Sequence, residues 1–247
     1  NMNIFKYRNF YNGGGVAIGD INNDGLADVF FISNQNTNKL YLNKGNFKFE
    51  DISVPSGIQG KKAWSTGVVM VDINGDGFLD IYVCDAGNNI DSVRKSQLYI
   101  NNGNSTFTEK AAEYNLADTG ITTHAAFFDY DKDGDLDCYI LNNSFIPVSS
   151  LNYSNKRELR DKDWDVADIL KGGGDKLMRN DNGKFVDVSE ASGIYGSLIG
   201  FGLGVTVGDV NGDLYPDIYI SNDFYERDYL YINNKNGTFS EQIQTWE

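Results

Sequence analysis

Proline, cysteine and histidine are all scarce in this chain of 247 residues, at 3, 2 and 1. Two cysteines are too few for a disulfide scaffold. Both Cys84 and Cys138 stand inside apolar runs, so they read as buried free thiols. With His124 the single histidine and no G-x-S-x-G stretch, the usual constellations for nucleophilic catalysis are missing. No apolar run approaches the roughly 18 residues of a membrane span, and the first ten residues lack the apolar core of a signal peptide. The chain therefore reads as soluble, or as the processed form of something exported. Basic charge is short as well. The 21 Lys and Arg against 35 Asp and Glu leave −14, which argues against nucleic acid as a partner.

Glycine, at 27, and aromatics, with 15 Tyr, 15 Phe and 3 Trp, are plentiful instead. That composition suits a folded, turn-rich β protein rather than an acidic disordered tail. Four segments are similar to one another: VAIGDINNDGLADVFFIS from Val16, VVMVDINGDGFLDIYVCD from Val68, AAFFDYDKDGDLDCYILN from Ala125 and VTVGDVNGDLYPDIYISN from Val205. Repeats begin near residues 12, 64, 121 and 198 of one region spanning 1–247, with an insertion at 142–174 inside the third. Each repeat predicts four short strands. One enters an acidic loop and a β-branched, aromatic run leaves it. KLYLN, QLYIN, KLMRN or YLYIN follows, and a last strand carries Phe47 and Phe49, Phe107, Phe185 or Phe239. A four-stranded sheet repeated at this period predicts an all-β chain of propeller blades.

The four loops place oxygen side chains at positions 1, 3, 5 and 9: Asp20, Asn22, Asp24 and Asp28; Asp72, Asn74, Asp76 and Asp80; Asp129, Asp131, Asp133 and Asp137; Asp209, Asn211, Asp213 and Asp217. Carboxylates this close repel unless a cation sits among them. An all-oxygen donor set favours calcium over zinc, and irregular geometry favours it over magnesium. Position 7, occupied by Leu26, Phe78, Asp135 or Tyr215, offers a backbone carbonyl as in an EF-hand, and the side chain of Asp135 is expected to face solvent. An EF-hand, however, closes with Glu at position 12 and is flanked by helices, whereas here Asp closes at position 9 between strands. Up to four calcium ions are expected. The third loop, with five aspartates, should be the tightest. The fourth should be the weakest, because Leu214 replaces the sixth-position glycine of the other three.

The D-x-[DN]-x-D-G-x-x-D loop between strands resembles the calcium loop of FG-GAP and VCBS repeats, known from integrin α-subunit propellers. YNGGGVAIGD at Tyr11, AAEYNLADTG at Ala111 and SGIYGSLIGFGLGV at Ser192 are similar to the ASPIC/UnbV-type family. This resemblance implies a propeller, commonly seven-bladed, located outside the cytoplasm: secreted, or associated with the outer membrane or cell surface. With four repeats, the sequence reads as part of a larger ring completed by more chain or by a complex. Residues 1–11 are expected to latch a neighbouring blade, and a lipid anchor could lie outside this stretch.

The function expected is a non-catalytic, calcium-stabilised binding or scaffold module for a protein or glycan partner. The alternative is a carbohydrate-active enzyme, or a propeller attached to one, using a carboxylate pair. His124 stands where the other repeats carry Gly15, Gly67 and Gly204, and reads as a hydrogen-bonded structural residue. In the insertion, Tyr153, the charged run 156–161 and a short helix over DWDVADIL, with Trp164, Val166, Ile169 and Leu170 on one face, form an excursion packed on its own propeller or a partner-binding element.

Overall fold

A computed structural model describes residues 8–11, 13–60, 64–87, 94–144, 146–151 and 157–246. The chain forms two compact units, 1–119 and 120–247. Each holds two four-stranded antiparallel sheets whose strands pair in chain order, the blade of a β-propeller. In the first unit, one blade is β1 (Val16–Gly19), β2 (Asp28–Phe31), β3 (Lys39–Asn43) and β4 (Phe49–Asp51). The other is β5 (Ser65–Val71), β6 (Asp80–Asp85), β7 (Gln97–Asn101) and β8 (Phe107–Glu109), followed by the short helix α1 (Ala111–Tyr114). In the second unit, β9 (Ile121–Phe128), β10 (Asp137–Asn143), β11 (Lys176–Asn180) and β12 (Phe185–Asp187) precede β13 (Gly204–Gly208), β14 (Asp217–Ser221), β15 (Tyr229–Asn233) and β16 (Phe239–Glu241), and then α2 (Ile243–Trp246).

The expected strands are present, with two corrections. Phe47 lies in the turn before β4 at φ 56° and is 98% exposed, so Phe49 alone opens that strand. Arg8–Tyr11 is a turn of 3-10 helix rather than a latching strand, and residues 1–7 lie outside the described residues. Neither Cys84 nor Cys138 forms a disulfide, and both are buried, as expected.

Apolar faces of adjacent blades form the core of each unit. Phe30, Leu40, Ile52 and Ile58 of one blade pack with Val68, Ile81, Val83 and Phe107 of the next. In the second unit Tyr139, Leu141, Leu177 and Ile194 pack with Ile218, Ile220, Tyr231 and Phe239. Burial of this apolar area is the main force closing each pair.

A two-blade period is superposed on the one-blade period. The exit from the first blade of each pair, DISVPSGI or DVSEASGI, is fixed by Ser53 or Ser189, whose Oγ accepts the N–H of Leu40 or Leu177, at 2.9 Å in both cases. Its Ser-Gly-Ile then crosses to the second blade, where the N–H groups of Phe107 and Phe239 donate to the carbonyls of Ser56 and Ser192. The second blade of each pair uses Glu109 or Glu241 instead, each accepting the N–H of the residue that starts the short helix.

Blades are also joined by the asparagine that ends the third strand of the second blade of each pair. Asn101 Nδ2 donates to the carbonyl of Leu79 in its own blade and to that of Ile21 in the preceding one, at 3.1 and 2.8 Å. Asn233 does the same with Pro216 and Tyr130.

The insertion contains no α-helix among its described residues. Asp161–Asp163 and Asp168–Leu170 are short 3-10 turns separated by an extended Trp164. The spacing of Trp164, Val166 and Leu170 does not suit one helical face, and all three pack instead on Ile146, Leu198, Ile199 and Phe201 of their own unit. Tyr153 and the side chain of Ile169 lie outside the described residues. The insertion returns through Gly174, where an added Cβ would sit 2.4 Å from the carbonyl oxygen of Gly196, so only glycine fits. Beside it, burial pushes Asp175 up to about 7, although the Asn142 N–H and the Tyr139 hydroxyl both donate to it.

Two predictions concern this scaffold. Asn101→Ala removes a buried link between blades, so in denaturant unfolding it should cost about 1–3 kcal/mol. Asn43→Ala, whose amide donates to the Ala27 carbonyl in its own blade, should cost less; equal losses would count against the link. Asp175 holds a proton in the folded chain that the unfolded chain, with an ordinary carboxylate, releases. Its contribution therefore favours folding at acid pH and is lost as pH rises from about 4 toward 7. Melting curves of Asp175→Asn should fall less steeply over that window, and an unchanged slope would refute the assignment.

Candidate metal centre

Each acidic loop folds around its own first aspartate. The fourth and sixth residues are left-handed in all four: Asn23 and Gly25, Gly75 and Gly77, Lys132 and Gly134, Gly212 and Leu214. That double reversal turns the N–H groups of positions 5 and 6 back onto the position-1 carboxylate. Asp20 accepts from Asp24 and Gly25 at 3.1 and 2.7 Å, and Asp72 from Asp76 and Gly77 at 3.1 and 2.8 Å. Asp129 accepts from Asp133 and Gly134 at 3.2 and 3.1 Å, and Asp209 from Asp213 and Leu214 at 3.0 and 2.8 Å. The position-5 carboxylates of Asp24, Asp76, Asp133 and Asp213 accept the N–H of Leu26, Phe78, Asp135 and Tyr215.

Position 9 is buried in every loop, at Asp28, Asp80, Asp137 and Asp217. One oxygen accepts the N–H of the second loop residue: Ile21, Ile73, Tyr130 or Val210. The other accepts the N–H of the third-strand asparagine: Asn43, Asn101, Asn180 or Asn233. These aspartates thus close the sheet as well as the loop. Burial pushes Asp80 up to about 6 and Asp137 up to about 7 despite those two donors.

The loops differ in how they offset their charge. In the first two, the Asn22 and Asn74 amides donate to the outer oxygens of Asp24 and Asp76 at 3.1 and 2.9 Å. In the fourth, the Lys235 ammonium lies 3.2 Å from Asp213 and, with Lys132, faces the Tyr215 ring. The third loop has aspartate at position 3 and no amide to donate. There, ligand oxygens of Asp129, Asp131 and Asp137 lie within 4.8 Å of one another. One oxygen each of Asp131 and Asp135 is buried without a hydrogen-bond partner. Burial and the Asp133 charge raise both carboxyls. Asp135 therefore turns toward the acidic cluster, which corrects the expectation that it faces solvent. All donors are oxygen, so the set fits calcium.

His124 is half-buried, with Nδ1 unpartnered and its pKa lowered by burial, so this nitrogen lacks the hydrogen bond expected of it. Sequence reasoning passed over the third-strand asparagines, although each stands last in its five-residue strand, and Lys235, which is remote from Asp213 in the chain. Leu214 does take the left-handed conformation, at φ 70°, with its side chain exposed. Leu214→Gly should stabilise the protein by about 1 kcal/mol in denaturant unfolding, since a branched residue is strained there; a loss of stability would show that the strain is absent.

The family model for the FG-GAP-like repeat matches residues 10–83 and 86–140, together more than half of the chain. Cartilage acidic protein 1 of Xenopus tropicalis is 32% identical over 136 residues, covering 54% of this chain and 20% of that protein. The mouse and human proteins of the same name are each 33% identical, over 69 and 72 residues, covering 28% and 29% of this chain and 11% of each relative. The chain thus spans a fifth or less of the length of these relatives. The matched residues include the first three acidic loops and the strands that flank them, and on that match the chain belongs to the FG-GAP-like repeat family.

Proposed function

We propose that the chain is a non-catalytic, calcium-stabilised binding or scaffold module that works outside the cytoplasm, at a cell surface or outer membrane, on a protein or glycan partner. The observation that carries the calcium reading is the third loop: three carboxylates converge, two buried oxygens lack a donor, and no amide or ammonium supplies one. Burial first, and then the charges of neighbouring aspartates, hold the Asp131, Asp135 and Asp137 carboxyls above their ordinary range, and a divalent cation there would offset both. The first two loops could exchange an amide for the same ion by turning Asn22 or Asn74 so that its carbonyl oxygen faces inward. The fourth already has Lys235 as a counter-charge, which supports ranking it weakest. The binding role is supported by membership of a repeat family and by loops whose acidic residues are committed to structure; FG-GAP repeats suggest protein interaction in general. The extracytoplasmic setting draws on the similarity to cartilage acidic protein and on calcium levels that such loops need.

Calcium binding stabilises the folded state in proportion to the logarithm of its concentration over Kd, about 2.7 kcal/mol at a hundredfold excess. Chelation should therefore lower the melting temperature, and millimolar calcium should restore it. Asp133→Ala should abolish most of that shift and Asp213→Ala little of it. Identical melts with chelator and with calcium would sink the metal reading, and equal losses in the two variants would sink the ranking.

A further inference from the structure

Five Asn-Gly pairs lie among the described residues: Asn74-Gly75, Asn102-Gly103, Asn182-Gly183, Asn211-Gly212 and Asn236-Gly237, each with its asparagine exposed. In such a pair the glycine nitrogen can attack the carboxamide carbon of the asparagine, because no Cβ on the glycine shields it. The five differ in whether that nitrogen is free. The Gly103 and Gly183 N–H groups donate to the side-chain oxygens of Asn101 and Asn180, at 3.0 and 2.6 Å. The Gly212 N–H donates to the Asp209 carboxylate at 2.8 Å. A nitrogen held in this way keeps its proton, and attack requires that the bond be given up. Among the described residues, the N–H groups of Gly75 and Gly237 have no such acceptor.

The acidic loops make the contrast sharpest, since Asn74 and Asn211 occupy the same third position. Each carbonyl oxygen accepts the position-5 N–H, from Asp76 at 3.1 Å and from Asp213 at 2.9 Å. That donor draws electrons from the carboxamide carbon and would stabilise the oxyanion formed on attack. The two loops thus present the same electrophile, and only the second leaves its nucleophile untied. The Asp-Gly pairs of the first three loops are guarded as well, because the N–H groups of Gly25, Gly77 and Gly134 are held by Asp20, Asp72 and Asp129.

We propose that Asn74 is a site of spontaneous covalent modification, converted by deamidation into an acidic residue. The Gly75 nitrogen bonds to Cγ of Asn74 and the bond from Cγ to Nδ2 breaks. Nδ2 leaves as ammonia with the proton given up by the Gly75 N–H, and a succinimide closes. Water then opens that ring at either carbonyl, leaving aspartate or isoaspartate, with no oxidant or reductant required. Either product adds a negative charge beside Asp72 and Asp76 and removes the amide that donates to Asp76. The second loop thereby loses its internal substitute for a cation and gains the acidic third position that marks the third loop. Asn236, in the turn before β16, has the same free neighbour, and its carbonyl oxygen accepts from the Thr238 N–H and hydroxyl at 3.1 and 2.6 Å. It should react too.

The test is mass-spectrometric peptide mapping of the whole chain aged in mildly alkaline buffer with chelator, below its melting temperature. Chelator keeps the outcome independent of the calcium reading. Conversion at Asn74 and Asn236 should outpace that at Asn102, Asn182 and Asn211 by about two- to tenfold, the worth of one net hydrogen bond. The same chain aged in denaturant should lose that order, because every site is then the same dipeptide in open chain. Equal rates at Asn74 and Asn211 in the folded chain, absence of product at Asn74, or an order that survives denaturant would overturn the proposal.

Discussion

Each sheet depends on one buried carboxylate with two backbone donors. The ninth loop residue takes an N–H from the start of its own loop and another from the end of the third strand, tying together segments that the chain alone would leave independent. Such a group is costly to bury and costly to remove, because its loss would strand two N–H donors inside the blade. Asp80 and Asp137 show the strain of that position in their raised carboxyl pKa values. The loop in front of the carboxylate is therefore more than a connection, since its left-handed residues decide whether the donors arrive.

The fold was largely legible because each repeat writes its strands and its loop in the same order, and four copies remove the ambiguity of any one. What escaped was contact between residues distant in sequence. Nothing in YLYIN shows that Asn233 reaches the Tyr130 carbonyl, and nothing near Asp213 announces Lys235. Phe47 misled because an aromatic two residues before Phe49 imitates strand alternation, whereas the turn around it needs left-handed backbone. In the insertion, the apolar residues suggested a helix, but their spacing serves a cluster approached by extended chain.

The candidate site was legible by residue type and less so by state. All four loops were readable as oxygen cages, yet three carry an internal substitute for the cation, an asparagine amide in two and a lysine in one. These substitutes follow from side-chain rotamers and from a neighbour's reach, which spacing does not encode. The third loop is distinguished by aspartate at position 3, which deletes the donor, and by aspartate at position 7, which adds a carboxylate.

The Ser-Gly-Ile crossing has a consequence of a different kind. It occurs after the first blade of each pair, so the full structural repeat is two sheets long, and a pair carries one sealed seam within itself.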